Sequence, residues 1–217
     1  MTRRSDPIVG LVLLLVAAVP VMAGTLSVQA NLADHGPFAG AVITVRGEAS
    51  HAPAAPISAI LDQINLAFVP DIVVVPVGST VEFPNSDSVS HQIYSFSPTK
   101  RFQLPLYHGK PYPPVHFDQA GVVTLGCNIH DKMVGYIFVT DATYFGRTDA
   151  HGAWSVTNVP RGIYHVSLWH PLLRDSVASL ERDVSVTSDE PAKTTLQLAQ
   201  ALRPAPLQAS ARSKDEY

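Results

Sequence analysis

The sequence predicts an all-β protein, and three observations support that prediction. The chain of 217 residues contains 18 prolines and 13 glycines, and only 15% of its residues are charged. Short apolar runs, several of them alternating with polar residues, are separated by turns that contain Pro or Gly. No long segment repeats its apolar residues with the period of a helix. This combination is typical of a β-sandwich.

The first half of the chain contains several predicted strands, each bounded by a turn or a loop. They span residues 26–30, 41–45, 64–68, 72–75 and 80–83. Residues 105–114 are rich in Pro and Tyr, and they are predicted to form a long surface connection.

Residues 1–23 have the features of an export signal. Arg3 and Arg4 provide a positive start, residues 8–19 form an apolar run, and Ala23 is a small residue of the kind found at cleavage sites. So short an apolar run suits a signal better than a membrane span. We therefore expect a periplasmic or secreted protein with no membrane span after cleavage; an uncleaved membrane anchor is the alternative.

Without residues 1–23, the chain has 13 basic and 17 acidic side chains. No basic cluster is present, so nucleic acid is not an expected partner. The single cysteine, Cys127, excludes an internal disulfide. In an oxidising compartment its thiol is free, oxidised, paired between chains or metal-bound, and a metal thiolate is the simplest of these states.

Residues 127–133 contain three soft or borderline metal ligands between two predicted strands. Cys127, His130 and Met133 have the spacing C-x2-H-x2-M, and Met133 is the one methionine outside residues 1–23. Thiolate, imidazole and thioether together suit copper, whose trigonal His2Cys sites have a weak axial methionine and transfer electrons. Such a site needs a second histidine. The best candidate is His91, which starts another β-type run.

The candidate ligands, and the other carboxylate and histidine side chains of the chain, also have interpretations that involve no metal. Cys127 could be a small buried residue and Met133 a core residue, although both roles at this spacing beside His130 would be a coincidence. Asp87 and Asp131 are predicted to stabilise turns, because hard carboxylates match copper–thiolate sites poorly. Solvated or structural roles are predicted for the remaining histidines considered, which are His35, His51, His116, His151, His165 and His170. No motif of a hydrolase, zinc protease or P-loop enzyme is present, so no catalytic residue is predicted.

The pattern V-x-F-x-N-x-D, followed by a histidine and a distant C-x2-H-x2-M-x-G, resembles the cupredoxins, the small blue copper proteins. The ligand loop is similar to that of amicyanin. The phrases H-x-I-Y-S-F-S and G-C-N-I-H-D-x-M resemble periplasmic proteins of the plastocyanin-like or methylamine-utilisation type. The resemblance covers residues 64–140, and Gln92 stands where many cupredoxins have Asn.

This resemblance implies a cupredoxin-like Greek-key β-sandwich over residues 24–142. It also implies one type 1 copper per chain, with a site formed by His91, Cys127, His130 and Met133. The expected function is one-electron transfer without catalysis, between redox partners such as a periplasmic dehydrogenase or a cytochrome. Three alternatives remain open: a copper carrier or chaperone, a non-redox binding module with a vestigial metal site, and a catalytic copper site with an open position.

Residues 143–199 are predicted to form a second, smaller β unit that contributes no metal ligand. The phrase D-x-x-G followed by V-P-x-G-x-Y-x-V resembles the carboxypeptidase-regulatory-like module, an Ig- or transthyretin-like β-sandwich. Residues 40–43 resemble a strand of the same module. The strands near residues 25–47 therefore belong either to the copper domain or to this module. Residues 200–217 are predicted to form a disordered tail.

Overall fold

The computed structural model describes residues 23–47, 52–109, 111–130, 132–175, 177–187 and 190–205. Within these ranges the regular structure consists of β-strands and a single 3-10 turn, Val177–Leu180. The all-β prediction is therefore confirmed. The strands are β1 Ala23–Asn31, β2 Val42–Gly47, β3 Ser58–Ile60, β4 Asp62–Ile64, β5 Ala67–Val69, β6 Ile72–Pro76, β7 Ser79–Glu82, β8 His91–Ser95, β9 Phe102–Tyr107, β10 Val115–Phe117, β11 Gly121–Gly126, β12 Val134–Thr140, β13 Tyr144–Arg147, β14 Ala153–Pro160, β15 Gly162–Trp169, β16 Glu181–Val186 and β17 Ala192–Gln197.

Strands β3–β12 form what we call the central sandwich. Its five-stranded sheet has the order β6-β12-β11-β8-β9, its three-stranded sheet has the order β10-β7-β3, and β4 and β5 form a separate pair. Strand β12 runs parallel to β6 and antiparallel to β11. A single apolar core joins these strands, and its most buried large side chains include Phe83, Ile93, Phe117, Leu125 and Ile137.

Strands β1, β2 and β13–β17 form what we call the terminal sandwich, because both ends of the described chain contribute to it. Its two sheets have the orders β14-β1-β17 and β13-β2-β15-β16. Strand β1 pairs in parallel with β17 and antiparallel with β14. A second apolar core lies within this sandwich and includes Leu26, Ile43, Tyr164, Leu168 and Leu196. Residues 23–47 thus pair and pack with strands that follow residue 143.

The alternation of side chains along β12 shows how one strand serves two surfaces. Gly135, Ile137 and Val139 are buried, whereas Tyr136 and Phe138 are half-buried on the opposite face. This period of two is the consequence of the β-strand pleat. The buried face closes the central core, and the other face contacts Trp169 of the terminal sandwich, whose ring centroid lies 5.0 Å from that of Phe138.

Residues 64–68 are not one strand, contrary to the prediction. They comprise the end of β4, a two-residue turn and the start of β5, and the turn has positive φ values of 52° at Asn65 and 60° at Leu66. Two successive positive φ values are typical of the tight turns that connect antiparallel strands. Leucine rarely adopts this conformation. The backbone N–H of Leu66 donates a 2.7 Å hydrogen bond to the carboxylate of Asp87, a residue distant in sequence, and this bond stabilises the turn.

The predicted long connection at residues 105–114 is also partly wrong. Strand β9 continues through Pro105 to Tyr107 and pairs with β8. Proline is tolerated there because β9 lies at the edge of its sheet, where a missing N–H leaves no neighbouring strand unpaired.

The two sandwiches are joined by polar contacts at one end of β6. Arg147 of β13 donates hydrogen bonds to the carbonyl of Gly40 at 3.0 Å and to the carbonyl of Ile72 at 3.2 Å. Its guanidinium also pairs with the carboxylate of Asp71 at 3.1 Å. One arginine therefore links backbone and side-chain groups of both sandwiches.

The predicted export signal lies outside the described residues except for Ala23, which begins β1. Of the predicted tail, residues 206–217 also lie outside the described ranges. Its first residues contact the loop before the 3-10 turn: the N–H of Arg203 donates to the carbonyl of Leu172 at 2.8 Å. Among the residues described, no helix is long and apolar enough to cross a membrane.

Candidate metal centre

The candidate ligands lie where strands of the five-stranded sheet begin or end. His91 is the first residue of β8, and Cys127 directly follows the last residue of β11. The two strands are neighbours, with Gly126 opposite Tyr94. Because β8 and β11 are antiparallel, the start of one and the end of the other come to the same end of the sheet.

The loop between β11 and β12 places His130 at the same end of the five-stranded sheet as His91 and Cys127. The N–H of Met133 donates to the carbonyl of His130 at 2.9 Å, which closes a tight turn before β12 begins. The loop has only seven residues, so Cys127 and His130 are held close together by the chain itself.

Three of the four predicted ligands form one cluster of donor atoms. Nδ1 of His91 lies 3.1 Å from Nδ1 of His130. Sγ of Cys127 lies 3.8 Å from the His91 nitrogen and 3.7 Å from the His130 nitrogen. In the part of the chain that the structure describes, this is the one group of three His, Cys, Asp or Glu residues with donor atoms arranged to hold a metal ion.

The size of the cluster fits a metal ion. The point equidistant from the three donor atoms lies about 2.1 Å from each of them, within the range of about 2.0–2.3 Å for bonds from His nitrogen and Cys sulfur to a first-row metal. Two imidazoles and one thiolate in a triangle are also the donor set of trigonal copper sites. The residues present therefore fit a copper ion in both spacing and chemistry.

The three ligand residues differ in exposure. His91 is 0% exposed and Cys127 is 2% exposed, whereas His130 is half-buried. Burial lowers the pKa of the His130 imidazole below its ordinary value, the nearby His91 lowers it further, and Asp87 opposes the shift. A lowered pKa keeps His130 neutral near pH 7, which is the form that binds metals.

Met133 is the fourth predicted ligand, and its side chain is buried at 2% exposure in the same apolar core as Cys127. Its axial role stays a prediction. The described histidines outside the cluster, which include His116, His165 and His170, belong to no such donor group. His51 and Asp131 lie outside the described residues.

Asp87 has a role that sequence reasoning missed. Its Oδ2 lies 3.0 Å from Nε2 of His91, and it also accepts the N–H of Leu66. Partial burial acts to raise the pKa of the Asp87 carboxyl. Hydrogen bonds from the Leu66 amide, from His91 and from the Ser88 amide outweigh that effect and hold the pKa below its ordinary value. The sequence contains the spacing D-x3-H, but on its own this spacing predicts only a turn.

Asn85 fixes the loop that carries Asp87. Its side-chain amide donates to the carbonyls of Val89 and Tyr107, both at 2.9 Å, and its Oδ1 accepts the N–H of Asp87 at 3.0 Å. Asn85 is 4% exposed, so water competes little for these bonds. The loop before His91 is thereby attached to β9.

Tyr107 extends this buried polar network below the site. Its hydroxyl donates to the carbonyl of Phe83 at 2.6 Å and accepts the side-chain amide of Gln63. Burial is the main reason that the pKa of Tyr107 is raised to about 12, and the charges of Asp62 and Cys127 contribute. The phenol therefore stays protonated at physiological pH and acts as a structural hydrogen-bond donor.

No protein-family model and no curated protein matches this sequence. Among solved structures, a purple cupredoxin from Nitrosopumilus maritimus is 28% identical over 38% of this chain and 99% of its own, with a TM-score of 0.35. A copper-containing nitrite reductase from Thermus scotoductus is 26% identical over 43% of this chain, with a TM-score of 0.35, and the match spans only 26% of that enzyme. A reduced amicyanin variant is 20% identical over 45% of this chain and 99% of its own, also with a TM-score of 0.35. TM-scores of 0.35 are too low for these matches to indicate a function for this chain.

Proposed function

We propose that this protein is a type 1 copper protein that carries single electrons between redox partners. The observation that carries the proposal is the triangle formed by Nδ1 of His91, Nδ1 of His130 and Sγ of Cys127. These residues would hold one copper per chain, and Met133 would be a weak axial ligand. Copper held in this way supplies reversible one-electron chemistry.

The choice of copper rests on the number and softness of the donors. Structural zinc sites are closed by four strong ligands, commonly cysteines and histidines. Here three strong donors converge in the described residues, and the fourth candidate is a thioether. A trigonal His2Cys set with a distant methionine favours blue copper.

The residues around the site support a rigid arrangement. His91 and Cys127 are buried, and Asn85 attaches the loop before His91 to β9 through its hydrogen bond to the Tyr107 carbonyl. A site whose ligands are fixed before metal binds changes little between oxidation states. Small reorganisation favours fast electron transfer. Half-buried His130 is the ligand through which we expect electrons to enter and leave.

A copper carrier is the main alternative, and burial argues against it. Transfer of copper to a partner requires incoming ligands to reach the metal. Two of the three donors here are at most 2% exposed, so exchange would have to begin at His130. A catalytic site would need an open coordination position in addition to these donors.

The site of action and the partners are part of this proposal. The signal-like residues 1–23 support a periplasmic or secreted location, where electron carriers serve dehydrogenases and cytochromes. A single cysteine engaged by a metal is also compatible with an oxidising compartment.

The experiment that tests this function combines voltammetry with a competition assay. We expect the copper-loaded protein to give a reversible one-electron couple and to release Cu(I) only slowly to a soluble Cu(I) chelator. Rapid and complete transfer of Cu(I) to the chelator, without a reversible couple, would instead identify a carrier.

A further inference from the structure

We propose that Asp87 is a positioning residue for the metal site: its carboxylate holds His91 in the tautomer that presents Nδ1 and favours the oxidised form of the bound metal. This inference rests on the proposed function, because it concerns the metal that the function requires. It extends that function by assigning control of the potential to a residue that is not itself a ligand.

The geometry places a carboxylate and a metal-binding nitrogen on opposite sides of one ring. Oδ2 of Asp87 lies 3.0 Å from Nε2 of His91, while Nδ1 of the same ring faces Nδ1 of His130 at 3.1 Å. A carboxylate accepts hydrogen bonds and donates none when ionised. Nε2 must therefore carry a proton, and in the neutral ring this leaves the lone pair of Nδ1 free to bind a metal.

Asp87 is itself held in place by backbone groups. Its Oδ2 accepts the N–H of Leu66 at 2.7 Å, and its Oδ1 accepts the N–H of Ser88 at 2.9 Å. Its own N–H donates to Asn85 at 3.0 Å. Both carboxylate oxygens thus accept hydrogen bonds from backbone N–H groups. The carboxylate therefore cannot rotate away from His91 without breaking these bonds.

The hydrogen bond between Asp87 and His91 is important because His91 is buried. His91 is 0% exposed, so water cannot replace Asp87 as the acceptor for Nε2–H. A buried donor without a partner is costly, and the ring would lose its fixed orientation. Outer partners of this kind raise the basicity of a ligating histidine, and their loss typically lowers metal affinity by about 10–100-fold.

The negative charge also distinguishes the two oxidation states. A carboxylate close to the metal site stabilises Cu(II) more than Cu(I), because the interaction grows with the charge of the ion. Removing that charge should therefore weaken Cu(II) binding more than Cu(I) binding. The measured reduction potential would then rise.

The test compares Asp87→Asn with a matched control, Asp62→Asn. Asparagine can keep an oxygen toward Nε2 but removes the charge. Asp62 is a nearby carboxylate that accepts the N–H and hydroxyl of Ser86 at 3.1 and 2.7 Å and has no bond to His91. Both substitutions remove one negative charge, but only Asp87 contacts the ring, so a difference between them reports the effect of a charge placed against His91.

We expect Asp87→Asn to lower the ratio of Cu(II) to Cu(I) affinity by about tenfold, which corresponds to a rise of about 59 mV in potential. The rise for Asp62→Asn should be less than half as large. Nitrogen NMR of the metal-free wild type provides a second readout, in which His91 should be the Nε2–H tautomer. Asp87→Ala should lose that fixed tautomer if the variant is folded.

The outcomes separate this inference from the proposed function. If copper binds and the two Asn variants have the same potential, the role of Asp87 is overturned and the electron carrier stands. The role of Asp87 would also be overturned if nitrogen NMR of the metal-free wild type showed His91 protonated on Nδ1. If the wild type binds no copper, the proposed function fails, and this inference fails with it.

Discussion

Nδ1 of His91 and Nδ1 of His130 face each other at 3.1 Å, and their rings meet edge to face at an interplanar angle of 63°. One histidine begins β8 and the other lies on the loop after β11. Two nitrogens from separate segments therefore converge beside the only cysteine of the chain. They differ in one respect: His91 is fully buried, and His130 is half-buried.

The difference in exposure between His91 and His130 predicts that added imidazole can replace only one of the two rings. Both His91→Gly and His130→Gly should weaken copper binding by more than about tenfold, because each loses a strong ligand. Added imidazole should restore binding to His130→Gly, since its cavity opens toward solvent. His91→Gly should not be rescued. Copper titrations with and without imidazole measure this, and equal rescue of both variants would contradict it.

Met133 provides a test of the axial ligand. Met133→Leu should keep copper and raise the potential, because loss of a donor in an apolar setting disfavours Cu(II). Met133→Gln should lower the potential, because a harder oxygen ligand favours Cu(II). Voltammetry on the three proteins measures both shifts. Unchanged potentials together with a collapse of Cu(I) affinity would favour the carrier over the electron-transfer protein.

Gly135 of β12 is predicted to be essential for packing near the site. A Cβ added there would lie 2.8 Å from Cδ2 of Phe68 and 2.9 Å from its Cβ, and Phe68 is only 3% exposed. Gly135→Ala should therefore lower the free energy of unfolding by about 1–3 kcal/mol. Denaturant unfolding of the metal-free protein measures this loss.

Gly126→Ala is the matched comparison for that variant. Its added Cβ would lie 2.7 Å from Cζ of Tyr94, a ring that is half-exposed and can move outward. The loss of unfolding free energy should be smaller than for Gly135→Ala. Equal losses would show that burial of the neighbouring ring does not decide the cost.

His170 predicts part of the pH dependence of stability. Burial lowers its pKa, the charge of Arg147 lowers it further, and Asp71 opposes the shift. Below pH 6.5, the ordinary value, the unfolded chain gains a proton that the folded chain resists, so stability falls as pH falls. His170→Gln should show a smaller loss of unfolding free energy between pH 7.5 and 5.5 than wild type, with unchanged copper stoichiometry. An identical pH slope would contradict this.

The sequence predicted the parts of the fold and of the candidate site that depend on local pattern. Apolar alternation and turn residues give the all-β class. Cys127 and His130 are three residues apart on one loop, so their proximity follows from the chain alone. His91 was inferred from its place at the start of a β-type run, and the pairing of β8 with β11 explains why that place is close to Cys127.

The features that the sequence did not predict depend on distant or atypical contacts. The turn at Asn65 and Leu66 places a leucine at positive φ, which local preference opposes and the remote carboxylate of Asp87 supports. The bond from Asp87 to His91 joins a loop residue to a strand residue, so no regular period signals it. The parallel pairing of β1 with β17 connects residues 166 positions apart, and no local pattern specifies such a pair.

The central claim is that copper binds to Cys127, and visible absorption during a Cu(II) titration tests it most directly. The wild type should saturate at one copper per chain with an intense thiolate-to-copper band. Cys127→Ser should lack that band, while circular dichroism shows that the β fold is retained. A wild type without bound copper, or a serine variant with the same band, would contradict the account.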